Sequence, residues 1–262
     1  MHYIIICATA LLVAALTFFS GFGLGTLLMP VFAIFFPVEL AVAATAAVHL
    51  ANNIFKTALI GKKANLGVVA KFALPAAAFA VLGALLLGYM SGIKPIYEYQ
   101  LGIRTCSITV VKLVISLLIF IFALFELTPK LKDFSLNPKY IPIGGILSGF
   151  FGGLSGHQGA LRTMFLIRLG LTKEAFIGTV VLSAVIVDIF RIAVYGVTFV
   201  SKDLTLLAMK NSVGLIVAGT IAAFIGSFIG SRLLKKVTMH SMQIIIGVML
   251  FVLAFALGLG II

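Results

Sequence analysis

The sequence is poor in charge. Only 10% of its 262 residues are Asp, Glu, Lys or Arg, and no stretch is polar or long enough to form a separate soluble domain. Alternating ten-residue strands, the mark of a membrane β-barrel, are missing too; the apolar runs are apolar on every side. Cysteine is nearly absent. Cys7 and Cys106 both fall in apolar segments, so neither a disulfide nor CxxC chemistry is expected. There is no GxxxxGK[ST], no HExxH, no GxSxG and no carboxylate pair, which argues against ATP hydrolysis and against an intramembrane enzyme. No cofactor is expected. The first 20 residues lack the basic n-region of a signal peptide and run directly into a glycine break, so they are read as a retained helix.

What is present is hydrophobic. The chain is 62% apolar with a mean hydropathy of +1.26, and apolar windows of 18 residues recur along it. This describes an all-α polytopic membrane protein whose first partner is the lipid bilayer. The net charge of +12 comes from 19 basic and 7 acidic residues. The basic residues cluster in short loops, as membrane topology demands, so nucleic acid is not expected as a partner.

The stretch Ser20 to Pro30, SGFGLGTLLMP, organises the chain. It breaks an apolar run from Tyr3 to Phe36. As one helix that run would be about 51 Å long, well beyond a bilayer core of about 30 Å. Gly21, Gly23 and Gly25 are where it can stop, and Thr26 to Phe36 makes only about half a span. The design returns at Leu154-Ser155-Gly156-His157-Gln158-Gly159, with Ala160 to Gly170 as a second half-helix. Two helices broken at matching places describe a transporter with its site at the breaks.

Taken in order, the expected helices are 3–20, a short 25–36, then 39–60, 67–91 and 101–127. The polar run 128–139 is a linker, and the second half repeats the plan as 140–154, short 159–170, 173–198, 206–233 and 239–261. This gives a first transmembrane repeat over 1–127 and a second over 140–262. Glu39 through Thr45 corresponds to Lys173 through Thr179, and Gly83 and Gly88 to Gly226 and Gly230. Generic packing of small residues accounts for these glycines.

Counting charges decides the topology. If each long-plus-short pair returns to its starting side, eleven basic residues lie on one side. The other side holds four, Lys94, Arg104, Lys202 and Lys210. If each pair is one broken crossing, the split is eight against seven. The positive-inside rule favours the first arrangement. Both termini are then outside a cytoplasmic membrane, the linker is cytoplasmic, and the two repeats are inverted, with their glycine breaks meeting near the midplane.

Four basic residues remain inside predicted spans: Lys56, Lys112, Arg162 and Arg191. Charge at membrane depth is costly and is usually paired or functional. Arg191 has Asp188 three residues earlier on the same helical face; the pair is either a staple between helices or part of a site. Arg162 lies in the first turn of the second half-helix, four residues after Gln158. Lys56 ends a face made by Thr45, His49, Asn52 and Lys56; it serves the site or snorkels to the headgroups. Lys112 has no polar neighbour at helical spacing and is read as packing or snorkelling. His49, Asn52 and Asn53 need a cavity, water or a partner. A metal site is poorly supported, because His49 and His157 fall on different repeats with no carboxylate near them.

Half-helices beginning at Thr26 and Ala160 aim their first N–H groups at the break, and such ends attract anions. Gly23, Gly25 and Gly159 let backbone approach a ligand. Arg162, Lys56 and Arg191, with Asp188 beside the last, add charge. His49, Asn52, Asn53, His157 and Gln158 add neutral polar groups. The pocket suits a small oxyanion. His49, His157 and Asp188 are candidate sites for a coupling proton; His is the better one near neutral pH.

In these residues the chain resembles the sulfite exporter TauE/SafE family. The motif is a glycine-rich break, a short apolar run to a proline and a small-residue helix with Thr or Ser. A basic loop and a Gly-containing helix follow, and all of it is duplicated. The matching residues are Gly21 to Gly25 and Pro30, then Ala41 to Thr45, and in the second copy Gly152 to Gly156 and Gly159, then Ala175 to Thr179. The second copy departs from the pattern, with His157-Gln158 in place of a glycine-rich run and Met164 in place of a proline. The resemblance implies export or uptake of sulfite, an organosulfonate or a related sulfur oxyanion. The expected activity is secondary transport by alternating access. An anion channel and a membrane anchor subunit are the rival readings.

Overall fold

The computed structural model describes residues 2–18, 23–102, 104–128, 137–167, 169–200, 212–233 and 239–262. Among them are ten α-helices and one β-hairpin: α1 His2–Leu16, α2 Leu24–Ala33, α3 Val38–Ile60, α4 Leu66–Ser91, β1 Tyr97–Leu101, β2 Arg104–Ile108, α5 Val110–Leu127, α6 Ile141–Ser155, α7 Gly159–Leu166, α8 Lys173–Tyr195, α9 Ser212–Leu233 and α10 Met239–Gly258. Ser20, Gly21, Phe22, most of the linker and the basic residues Lys202, Lys210, Lys235 and Lys236 lie outside the described residues. Four segments have the length and composition to cross a membrane: Val38–Lys63, Leu66–Ser91, Lys173–Phe199 and Ser212–Arg232.

Both short helices form where expected, α2 with 10 residues and α7 with 8. Two of the long helices, α4 and α8, begin with ordinary side-chain caps, while α3 starts after Pro37 without one. Asn65 accepts from Val68 N at 3.1 Å and Thr172 from Ala175 N at 3.3 Å. The half-helices do not: neither Gly23 nor Gln158 caps its helix with a side chain. Gly23 sits at φ 119° and Gly156 at φ 80°, conformations that glycine alone adopts readily.

The expected helix 101–127 is corrected at its start. Tyr97 to Ile108 is an antiparallel hairpin, with Tyr97 opposite Ile108 and Leu101 opposite Arg104, and α5 begins only at Val110. Tyr97, Tyr99, Thr105 and Ile108 are strand-formers, and Gly102 takes φ 64° at the turn. Cys106 is therefore on a strand rather than in a span; it and Cys7 are free thiols. Lys112, with no polar neighbour at helical spacing, donates from Nζ to the Ser107 carbonyl of the hairpin at 2.8 Å. Tyr99 ties the hairpin to the far end of the chain through the Leu259 carbonyl at 2.7 Å.

Long helices from the first half pack on helices from the second: α1 on α9, α4 on α6, α3 on α8 and α5 on α10. Two of these contacts need glycine. A Cβ on Gly149 of α6 would lie 2.0 Å from the Ala76 carbonyl of α4, and one on Gly226 of α9 would lie 2.1 Å from the Leu11 carbonyl of α1. No neighbour can yield at those distances, so backbone meets backbone. Large apolar side chains such as Ile4, Leu74, Tyr89 and Val252 are exposed on the outer surface. The centre holds buried Lys56, Arg162, Asp188 and Arg191. Apolar outside and charged inside is the arrangement a bilayer imposes.

Candidate functional site

The inward face of α3 carries Thr45, His49, Asn52, Asn53 and Lys56, all buried, as their helical spacing requires. Against it lies α8, which buries Thr179, Ser183, Asp188, Arg191 and Tyr195. The break before α7 inserts His157 and Gln158 beside them, both buried.

Asp188 gathers three side chains. Its Oδ2 lies 2.6 Å from His49 Nδ1. Its Oδ1 accepts from Arg191 Nε at 2.9 Å and from Gln158 Nε2 at 3.1 Å, and lies 2.7 Å from Arg191 Nη2. Arg191 is further held by Nη1 on the Gly152 carbonyl at 3.0 Å, and Tyr195 donates to the Gly153 carbonyl. The Asp188–Arg191 pair is thus closed and clamps α8 to the end of α6. The carboxylate against His49 corrects the expectation that none would be near a histidine. Among the described residues no group of three or more His, Cys, Asp or Glu could hold a metal ion. Asn53 Nδ2 lies 3.2 Å from His49 Nε2.

The two breaks touch. A Cβ on Gly25 would lie 3.6 Å from the Gly156 carbonyl and 3.4 Å from His49 Cδ2. Between the first turns of the half-helices is a cavity of about 10 Å³, room for one water-sized group, lined by Thr26, Phe122, His157, Gly159, Ala160 and Leu250. The His157 ring stacks on Phe122. Its Nδ1 lies 2.8 Å from the Ser155 carbonyl and so carries a hydrogen, and its buried Nε2 has no partner. A neutral ring presents a lone pair there; a proton turns it into a donor.

The remaining expected residues divide. Asn52 accepts from Ser227 Oγ at 2.7 Å through Oδ1, while its Nδ2 is unpartnered. Lys56 does not snorkel: it is 5% exposed, with Nζ 5.3 Å over the Phe18 ring. Arg162, 1% exposed on α7, leaves Nε and Nη1 without a partner. Sequence reasoning passed over Tyr195, Ser227 and Ser148, whose Oγ holds the Gln158 carbonyl at 3.0 Å. Each acts on a residue far along the chain or on a backbone carbonyl, and neither leaves a spacing to read.

A helical bundle, apolar outside, with two broken helices and ionised groups buried at their meeting point, is an integral membrane protein of the transporter class. The chain belongs to the sulfite exporter TauE/SafE family, whose model matches residues 6–257. No curated protein and no solved structure matches it.

Proposed function

We propose that the protein is a secondary transporter that moves sulfite or a small sulfur oxyanion across the cytoplasmic membrane by alternating access. The anion is held at the two glycine breaks. The observation that carries this reading is the convergence of two uncapped half-helix starts on one small cavity; the second of these half-helices also carries Arg162, buried with two unpartnered nitrogens. Helix starts and guanidinium N–H groups both favour an oxyanion. Thr26, His157 and Gly159 line that cavity, and Gly23 and Gly25 shape it. His49, Gln158, Asp188 and Arg191 form the hydrogen-bonded network that holds the break before α7, while Asn52, Asn53 and Lys56 continue the polar face of α3.

Residues 1–127 and 140–262 are two inverted repeats joined by a cytoplasmic linker, with both termini outside. The exchange of partners supports this reading: α4 packs on α6, and its counterpart α9 packs on α1. The cavity is smaller than a sulfite ion, so loading requires the half-helices to part, which is how rocking repeats would admit the anion from one side at a time. A coupling proton is assigned to His157, whose Nε2 is free at the cavity wall.

The test is flux of labelled sulfite into proteoliposomes of the purified protein. Saturable flux supports the reading. Flux that rises linearly without saturation identifies a channel, and no flux from folded protein rejects transport of sulfite.

A further inference from the structure

The buried charges do not cancel. Lys56, Arg162 and Arg191 are each at most 5% exposed, and among the described residues Asp188 is the acid buried with them. Asp188 is spent on one of the three: both its oxygens are engaged, Oδ1 with Arg191 and Gln158, Oδ2 with His49. Among the described residues no ion pair reaches Arg162 or Lys56. Arg162 keeps Nε and Nη1 free of partners, and Lys56 meets the face of Phe18. With His49 and His157 neutral, two positive charges are left over among the described residues.

Most of the other unpartnered polar groups lean the same way; His157 Nε2, an acceptor while its ring is neutral, is the exception. Unpartnered buried atoms lie on α3 (Thr45 Oγ1, Asn52 Nδ2), on α7 (Arg162 Nε and Nη1) and on α8 (Ser183 Oγ). The amide and guanidinium nitrogens can only donate, and the hydroxyls can donate. Two cations buried at membrane depth without counter-charge are costly, and a dianion would offset more of that cost than a monoanion.

We propose that the site selects its substrate by charge, taking dianions such as sulfite in its fully ionised form, and discriminating against monoanions such as hydrogen sulfite, alkylsulfonates and chloride. This rests on the transport reading above and narrows it: organosulfonates with a single charge drop out of the substrate class. Arg162 and Lys56 are the charge-counting groups, and Arg191, neutralised by Asp188, is not.

The experiment is competition against labelled sulfite flux in proteoliposomes, with thiosulfate and sulfate as dianions, and methanesulfonate and chloride as monoanions. The dianions should inhibit about tenfold or more tightly than the monoanions, a difference of about 1.4 kcal/mol. At subsaturating total sulfite, flux should rise about tenfold between one pH unit below and one above the second ionisation of sulfite, following the dianion fraction. Inhibition by thiosulfate, a dianion throughout that range, should stay constant, which separates titration of the substrate from titration of His49 or His157. In Lys56→Met and Arg162→Gln, assayed by equilibrium binding of the same anions to monodisperse protein, the preference for dianions should shrink. Saturable sulfite flux inhibited equally by methanesulfonate, or flux that follows the hydrogen sulfite fraction, overturns charge selection and leaves the transport reading standing. No saturable sulfite flux overturns both. The wild-type competition decides the matter even if a variant fails to fold.

Discussion

His49 and Asp188 stand 139 residues apart in the chain and meet at 2.6 Å, Nδ1 to Oδ2, in the buried centre of the bundle. The contact joins α3 to α8, one helix from each half. Gln158 and Arg191 bond the other oxygen of the same carboxylate, so a single acid fixes the break before α7 against both long helices. The candidate anion site is built on this network.

Removing the acid should be the most damaging single change. Asp188→Asn leaves Arg191 buried without its counter-charge and weakens the bond to His49. Loss of one partner of a buried pair costs about 3–5 kcal/mol. A large fall in thermal midpoint in detergent, together with loss of sulfite flux, is expected. An unchanged midpoint would mean the network does not hold the bundle.

His49→Gln keeps a polar group on α3 but sets its amide nitrogen one bond further from the backbone than Nδ1, out of register with Asp188 Oδ2. Loss of a hydrogen bond to a charged group costs about 1.5–3 kcal/mol. The variant should fold with a lower midpoint, and flux should fall further than stability alone explains, because His49 also borders Gly25. Paired measurements of midpoint and flux check this.

Gly25 and Gly149 separate crowding at the site from crowding in the scaffold. A methyl on Gly25 meets His49 Cδ2 at 3.4 Å, a distance the fold tolerates, but it stands between the two breaks. Gly25→Ala should remain folded with reduced flux. A methyl on Gly149 would be 2.0 Å from the Ala76 carbonyl. Gly149→Leu must push α6 off α4, and overpacking of this kind costs about 1–3 kcal/mol or more. Size-exclusion profiles and yield should separate the two variants.

Gly156→Ala tests the break itself. At φ 80° a side chain costs about 1–2 kcal/mol, and its methyl would lie 3.6 Å from Arg191 Nη1. A modest loss of midpoint with strongly reduced flux is expected. The change Gly102→Ala, at φ 64° in the open hairpin turn with nothing within 4 Å, carries similar backbone strain. It should leave flux intact, and comparing the two variants isolates what the break does for transport.

Much of this was legible from local pattern. Glycine clusters marked both breaks, and the half-helices start at Leu24 and Gly159, within two residues of the expected Thr26 and Ala160. The spacing of Thr45, His49, Asn52 and Lys56 gave one buried face of α3. The hairpin 97–108 was hidden because its apolar residues continue directly into those of α5, and a run of that composition reads as one helix. The Asp188–Arg191 pair was visible at a spacing of three, but its bonds to His49 and Gln158 were not. Nothing local encodes a contact across 139 residues, which follows only from how α3 and α8 pack.

Arg162 gives the most direct test of the central claim. Its Nε and Nη1 are buried without partners, so Arg162→Gln removes an uncompensated charge from the interior. Such a change does not weaken the fold, and flux depends on the charge only if an anion binds there. The measurement is labelled sulfite flux alongside thermal midpoint for wild type and Arg162→Gln. The account predicts a midpoint equal to or above wild type with flux abolished. Wild-type flux in the folded variant would contradict it, and the site would have to lie elsewhere.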